Sequence, residues 1–414
     1  MLRKFCILIV CVPFALALAC SEKADSPKEI DIRQLSQAEL SLATSSNEFG
    51  INLFQKLVEQ NPDSSIFISP LSVSMAFGMA LNGASGATRD SLEQTLRLSG
   101  LSPTEINESY RSLIDFLATL DQKVTFELAN SMWPRLGFAI NDEFVAMNRS
   151  FFDAEVRALD FDDPGSVDII NEWIEEKTHD KITDMLDYIP GDAVLYLINA
   201  IYFNGFWTTQ FDKENTIDGV FRLQDGSSKI CKMMNLETTI SYLDADGFSA
   251  VELPYGSGDY SMVILLPDED RTVDEVIGAI TDENWNAWMG SFTEVEEALL
   301  SLPKFEFEYF IKLNDALKAL GMSIAFSGLA DFSNICAPGA LCDLYISRVL
   351  HKAFIRVDEE GTEAAAATII EFRETSVGPS VSFVVDRPFA FVIREARSGS
   401  MLFMGKMLNP EFSK

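Results

Sequence analysis

The side chains that most often perform catalysis are sparse in this chain. Histidine occurs only twice, as His179 and His351, so a zinc site of the His-Glu-x-x-His type is excluded. No Gly-x-Ser-x-Gly sequence exists that could carry a nucleophilic serine. Residues 399–406 resemble a phosphate-binding loop, but the spacing differs and Met407 stands where serine or threonine would contact magnesium. The residue types therefore argue against an enzyme.

The most unusual segment is residues 361–372, GTEAAAATIIEF. Four consecutive alanines after a glutamate favour a helix by propensity. Alternation also allows a strand, with one uncharged face made by Thr362, Ala364, Ala366, Thr368, Ile370 and Phe372. The opposite face consists of Glu363, Ala365, Ala367, Ile369, Glu371 and Arg373. As a strand, this segment could bury the first face and leave the second in water.

Helical and strand patterns alternate from Phe49 onward without an internal repeat or a linker, which predicts one large domain. Helices are predicted at residues 54–60, 72–81, 90–98, 104–119 and 167–178. Strands are predicted at residues 195–203, 249–255, 260–266, 299–309, 345–357, 381–394 and 400–408. Helices in the first half and strands in the second predict an α+β fold built on large sheets.

The charge balance excludes one class of partner. The chain has 32 Lys and Arg against 63 Asp and Glu, a formal net charge of -31. Such a surface repels phosphate backbones, so we expect no nucleic-acid partner. A solvated acidic surface is typical of a soluble extracellular protein.

The N-terminus predicts export. Residues 1–19 read as a signal peptide, with Arg3 and Lys4 before an apolar run that is too short to span a membrane comfortably. Cys20 follows a lipobox-like LALA sequence, which predicts lipidation and a bacterial cell-envelope location. The alternative is an ordinary secretory signal cleaved after Ala19. Residues 20–46 are then a polar tether and residues 47–414 the folded domain, with membrane contact only through the lipid.

Four cysteines remain after the signal peptide: Cys20, Cys231, Cys336 and Cys342. Cys336 and Cys342 flank a turn-like APGAL segment and could close a small disulfide loop in an oxidising compartment. Two unpaired thiols are the alternative.

Many motifs, in order along the chain, resemble the serpin family of serine protease inhibitors. They are FISPLSVS at 67–74, NEW at 171–173, THDKI at 178–182, NAIYFNGFW at 199–207, LPKF at 302–305, ADFS at 330–333, HKA at 351–353, VDEEGTEAAAAT at 357–368 and DRPF at 386–389. Asn204 stands where the family usually has lysine. The resemblance covers residues 49–410 and implies three β-sheets, about nine helices and an exposed reactive-centre loop.

The resemblance also implies a mechanism. A protease cleaves the loop, becomes acylated and is trapped as the loop inserts into the main sheet. The implied hinge residues are Glu359, Gly361, Thr362, Glu363, Ala364, Ala365, Ala366, Ala367 and Thr368. About a dozen new hydrogen bonds at roughly 1 kcal/mol each would make the uncut form metastable by ~10 kcal/mol.

Family spacing from Glu359 makes Thr375-Ser376 the bond to be cut. A small β-branched residue before the bond suits an elastase- or subtilisin-like protease with a shallow apolar specificity pocket. The alternative bond is Arg373-Glu374, which a trypsin-like protease would attack.

Other residues take structural roles by the same resemblance. Ser69, Ser72, Asn199 and His351 match a polar cluster beneath the main sheet that holds two strands together yet lets them part, and Trp207 lies near the insertion point. We expect a monomer that needs no cofactor or metal. The competing interpretation is a non-inhibitory carrier, chaperone or storage protein, which the small, uncharged inward face of the hinge disfavours.

Overall fold

The computed structural model of the chain describes residues 33–362 and 380–412, and residues from Leu35 onward form one compact unit. This part contains nine α-helices: α1 (Gln37–Gln60), α2 (Pro70–Leu81), α3 (Gly86–Thr95), α4 (Pro103–Thr119), α5 (Asp142–Phe152), α6 (Gly165–Lys177), α7 (Val273–Gly278), α8 (Asp282–Met289) and α9 (Asn314–Leu317). The first six lie within residues 37–177. None of the helices in the described ranges has the length and apolarity to span a membrane.

The first helix corrects the predicted tether. Ser36 and Glu39 form a capping box, in which the Ser36 hydroxyl accepts from the Glu39 amide at 3.3 Å. Leu42 and Ala43 are fully buried, so packing extends the helix far upstream of the predicted start at residue 54. The prediction of a polar tether is therefore wrong for residues 37–46.

Fifteen strands are described. They are β1 (Ile66–Ile68), β2 (Val124–Pro134), β3 (Glu155–Val156), β4 (Leu195–Phe206), β5 (Ile217–Arg222), β6 (Ser228–Ala245), β7 (Phe248–Tyr255), β8 (Tyr260–Pro267), β9 (Thr293–Pro303), β10 (Phe305–Lys312), β11 (Leu350–Val357), β12 (Gly361–Thr362), β13 (Ser382–Val384), β14 (Phe389–Glu395) and β15 (Met401–Met407). The predicted α+β class is confirmed.

Two predicted strands are each divided in two. The predicted strand at 299–309 is split between β9 and β10 after Pro303, and the one at 381–394 is split between β13 and β14 near Pro388. Proline supplies no backbone N–H, so it interrupts a hydrogen-bonded ladder.

Within residues 33–362 and 380–412, the strands pair along two hydrogen-bonded paths. One sheet has six strands in the order β10-β11-β12-β4-β2-β3, and the other has nine, β1-β15-β14-β8-β7-β6-β9-β13 with β5 beside β6. The 18-residue strand β6 pairs with β5, β7 and β9. β6 therefore joins β5, β7 and β9 into one continuous hydrogen-bonded path.

The core lies between the sheets and the N-terminal helices. β8 and β15 are buried along their whole length. Phe67 of β1 stacks on Phe403 of β15 with ring centroids 5.2 Å apart, and it contacts Phe307 of the six-stranded sheet at 6.0 Å. These rings join the two sheets directly beneath the strands that form the candidate site.

Of the two alternatives for Cys336 and Cys342, the structure shows the disulfide. Cys336 and Cys342 form a disulfide, and Cys231 is a free, partly buried thiol.

Candidate functional site

A gap opens in the middle of the six-stranded sheet. The two-residue strand β12 lies between β4 and β11, with Gly361 opposite Phe206 and Thr362 opposite both Gly205 and Val357. Beyond β12, the described residues of β4 and β11 make no strand pairing with each other. We call the space between residues 192–203 and residues 343–355 the slot.

The slot consists of two cavities that share Asn199 and His351 in their walls. The cavity nearer β12 has about 700 Å³ of empty space and the second about 1530 Å³, part of it open to solvent. Helix α2 lines the second cavity with Val73 and Phe77, and α6 lines the first with Ile174. The slot is therefore walled by β4 and β11 along its sides and by helices α2 and α6 beneath.

We call residues 205–211 with residues 358–362 the hinge end of the slot. Its backbone is held by two residues that follow β4. The Trp207 amide donates to the Glu360 carbonyl at 2.9 Å, and the Phe211 amide donates to the Glu359 carbonyl at 2.9 Å. The Trp207 indole Nε1 donates to the Asp358 carbonyl at 2.9 Å. These bonds fix the turn that leads into β12.

Trp207 itself is held by stacking. Its ring lies on the Tyr255 ring with centroids 4.4 Å apart, and only 4% of the residue is exposed. Its hydrogen bonds to the hinge place it at the start of the slot, where the family resemblance predicts it.

Gly361 is required by a close approach of two backbones. A Cβ at this position would lie 2.1 Å from the Gly205 carbonyl oxygen and 2.8 Å from Phe206 Cα. Any larger residue would push β12 away from β4.

Thr362 begins the inward face of the predicted insertion strand. It is buried, and its hydroxyl shares a 2.6 Å hydrogen bond with the Tyr255 hydroxyl. Burial raises the pKa of Tyr255, so this hydroxyl keeps its proton. The structure thus places Thr362 on the buried face that the sequence alternation predicts.

Two buried carboxylates of the hinge are paired. Lys304 Nζ lies 2.6 Å from Glu359 Oε2, and the Thr216 hydroxyl donates to Glu359 Oε1 at 2.7 Å. Burial raises the pKa of the Glu359 carboxyl, but these hydrogen bonds outweigh burial and hold that pKa below its usual range. Glu360 pairs with Lys213, whose side chain is 64% exposed.

We call residues 195–199 with residues 343–351 the open end of the slot. Here the Ser69 amide donates to His351 Nε2 at 3.2 Å, and the Ser72 amide donates to Ser69 Oγ at 3.2 Å. Burial lowers the pKa of His351 to about 4, so its ring is neutral at pH 7 and Nδ1 carries the proton. Three of the four predicted cluster residues therefore lie together.

Asn199 does not join them. Its Nδ2 donates to Asn130 Oδ1 on β2 at 2.8 Å, and its Oδ1 is buried without a partner among the described residues. This hydrogen bond links β4 to β2, whereas His351 lies on β11, on the other side of the slot.

The same cluster offers no hydrolytic chemistry. Ser69 Oγ donates to the Leu402 carbonyl at 2.8 Å, and the His351 ring receives the Ser69 amide. The serine hydroxyl is thus not activated by the histidine, which a nucleophilic pair would require. Within residues 33–362 and 380–412, no group of three metal-binding side chains is found.

The remaining predicted residues lie outside the described ranges. They are Cys20, Glu363, Ala364, Ala365, Ala366, Ala367, Thr368, Arg373, Glu374, Thr375 and Ser376.

Sequence reasoning missed Tyr255, Lys304, Lys213 and Thr216. All four are distant from the hinge in sequence and reach it only through the fold. The one available signal was the run of three acidic residues at 358–360, which requires cations when it is buried.

The geometry agrees with comparisons to known proteins. A family model described as Serpin (serine protease inhibitor) matches residues 44–410. Leukocyte elastase inhibitor from Bos taurus is 36% identical over 386 residues, which cover 89% of this chain and 99% of that protein. Serpin I2 from Homo sapiens is 32% identical over 384 residues, covering 91% and 93% respectively.

A solved structure shows the same architecture. The thermophilic serpin tengpin in its native state has a TM-score of 0.81 and 30% sequence identity to this chain, covering 92% of this chain and 96% of that one. The resemblance drawn from the motifs and the serpin fold expected from it are confirmed. The chain belongs to the serpin family.

Proposed function

We propose that this protein inhibits serine-type endopeptidases by suicide cleavage of its reactive loop, and that it acts as an inhibitor and not as an enzyme. The observation that carries the proposal is the slot between β4 and β11. At one end of it β12 already pairs antiparallel with both strands. A cleaved loop needs only to continue that register to become a full strand.

The register gives the proposal a specific geometry. Thr362 lies opposite Gly205 and Val357, so extending both ladders residue by residue brings Thr368 opposite Asn199 and His351. Thr368 has the same parity as the buried Thr362, and its hydroxyl would therefore enter the slot beside the unpaired Asn199 Oδ1. Insertion would satisfy a buried acceptor that lacks a partner in the uncut form.

We further propose that the reactive bond is Thr375-Ser376 and that the target is elastase- or subtilisin-like. Counting from Glu359 supports this bond, and the small side chain of Thr375 suits a shallow pocket. The name of the bovine relative, a leukocyte elastase inhibitor, points to the same class of protease.

Location is proposed on sequence grounds. The apolar run that ends at Cys20 supports export, with the protein either lipid-anchored at a bacterial cell envelope or secreted as a monomer. The Cys336–Cys342 disulfide is consistent with an oxidising compartment.

The test is to mix the purified protein with elastase, subtilisin and trypsin and to look for 1:1 complexes that survive denaturing electrophoresis. We expect complexes with the first two, and a released C-terminal peptide that starts at Ser376. A peptide that starts at Glu374 would move the bond to Arg373 and make the target trypsin-like. Cleavage without any complex would support a carrier, chaperone or storage role.

A further inference from the structure

The C-terminal end of the described chain lies beside Lys304 and Arg356, two residues whose side chains pair with hinge carboxylates. The Glu306 amide donates to the Glu411 carbonyl at 2.6 Å, which fixes the tail beside the first residues of β10. Asn409 reinforces this position, because it accepts from Lys229 Nζ at 2.7 Å and donates to Glu411 Oε1 at 3.1 Å. The tail is therefore ordered by contacts up to the residue before Phe412.

Phe412 is in contact with two cations that form ion pairs with hinge carboxylates. Lys304 Nζ lies 4.3 Å from the centre of the Phe412 ring, and Arg356 Cζ lies 4.6 Å from it. Both distances fall within the range of a cation–π interaction. One aromatic ring thus holds two positive side chains that come from different strand ends.

Both cations bind carboxylates at the base of β12. Lys304 pairs with Glu359 at 2.6 Å, and the two side chains are 15% and 5% exposed. Arg356 Nε lies 3.4 Å from Asp358 Oδ2, and its Nη1 lies 2.9 Å from Glu306 Oε2. Water that reached these pairs would weaken them, since an ion pair is stronger where solvent is excluded.

We propose that Phe412 is a positioning residue for the hinge: its ring holds Lys304 and Arg356 on Glu359 and Asp358, so the C-terminal tail controls how often the hinge end of the slot opens. The proposal rests on the proposed function only for its consequence, which is that the tail sets how readily the loop inserts. The positioning itself can be measured in the uncut protein without a protease.

The primary experiment is amide hydrogen exchange of the full-length protein. The amides of Trp207 and Phe211 donate to the hinge carbonyls, so their exchange rates report opening of the hinge end. Each cation–π contact corresponds to about a 2- to 5-fold change in an equilibrium. Because two contacts are lost, we expect Phe412→Ala to speed exchange at these two amides by about 4- to 25-fold, with the amides of α4 unchanged.

Two further variants separate positioning from bulk packing. Phe412→Tyr keeps the aromatic face and should exchange within about 2-fold of the wild type. Combining Phe412→Ala with Glu359→Gln should give less than the product of the two single effects, because both act on the same pair. Phe310→Ala is the matched control, since Phe310 is 52% exposed on β10 and makes no described contact with the hinge.

Unchanged exchange in Phe412→Ala, or multiplicative effects in the double variant, would overturn the inference. If the wild type forms no covalent protease complex while Phe412→Ala still exchanges faster, the proposed function fails and the positioning role stands. If complexes form but Phe412→Ala exchanges like the wild type, only the positioning role fails.

Discussion

The two ends of the slot are built differently. At the hinge end, β12 pairs with strands on both sides, and Trp207 and Phe211 hold the turn before it. At the open end, β4 and β11 do not pair with each other in the described residues. The buried Asn199 Oδ1 there has no hydrogen-bond donor.

This contrast shows where a new strand would start and what would draw it in. The register is set at Gly361 and Thr362, where the backbone already occupies the position of a strand. The gain lies further along, where each added residue would supply backbone hydrogen bonds to strand edges that lack them. The hinge end therefore sets the register and direction of the inserting strand. The open end is where insertion would form most of the new hydrogen bonds.

The largest expected effect is that of filling the open end. Cleavage of the loop between residues 370 and 376 should stabilise the protein by ~10 kcal/mol, through roughly a dozen new hydrogen bonds and the burial of apolar side chains. We expect the melting temperature to rise by about 10 to 20 °C. Calorimetry before and after a single clean cut measures this, and coincident melting curves would mean that nothing inserts.

A charge at the first inward position should block filling while leaving the cut possible. Thr362 is 4% exposed against Tyr255, so Thr362→Arg would bury an unpaired charge at a cost of several kcal/mol. The variant should become a cleaved substrate, seen as a stoichiometry of inhibition many times that of the wild type. Thr362→Ser keeps the hydroxyl and serves as the control. Equal stoichiometry for the Arg variant would show that position 362 does not control insertion of the loop.

The hinge end should depend more on Lys304, whose side chain is largely buried, than on Lys213, whose side chain is mostly exposed. Lys304→Met leaves Glu359 buried without a cation, which costs about 3 kcal/mol or more. Lys213→Met also leaves a buried carboxylate, that of Glu360, without its partner, but the cation it removes is 64% exposed, so its cost should be smaller than that of Lys304→Met. Urea unfolding of the uncut variants compares the two, and similar losses would show that the pairs are equivalent.

Lowering the pH should reduce the stability of the folded protein through His351 at the open end. Its pKa is about 4 in the folded protein and about 6.5 when unfolded, so below pH 6.5 only the unfolded state gains a proton. This residue's share of stability is therefore intact above pH 6.5 and is lost toward pH 4, by about 2 kcal/mol at pH 5. His351→Gln should flatten the stability profile between pH 7 and pH 5. A parallel profile for this variant would assign the acid sensitivity to other groups.

The same contrast explains what could be predicted from the sequence. The need for glycine at 361 comes only from the structure, and the inward face beyond Thr362 lies outside the described residues. By contrast, the inward position of Thr362 and the place of Trp207 follow from local alternation and family motifs, and both residues are buried at the hinge end. These features depend on residues that are close in the chain or lie in long recognisable strands.

The features that could not be predicted depend on long-range packing. Lys304 and Tyr255 reach the hinge from strands far away in sequence, and no local pattern marks them. Asn199 was expected beside His351, but Asn199 lies on β4 and His351 on β11, on opposite sides of the slot. The tether prediction is wrong for a different reason. Residues 37–46 are polar in composition, but the capping box at Ser36 starts a helix there.

The central claim is that a cleaved loop fills the slot between β4 and β11. Residue-resolved hydrogen exchange on the intact and the loop-cleaved protein tests this claim most directly. In the intact protein we predict slow exchange at Trp207 and Phe211 and faster exchange at slot-facing amides of residues 195–203 and 350–355. After cleavage those slot-facing amides should slow to the level of the hinge end, because a new strand pairs with them. Slot amides that exchange equally fast before and after the cut would contradict the account.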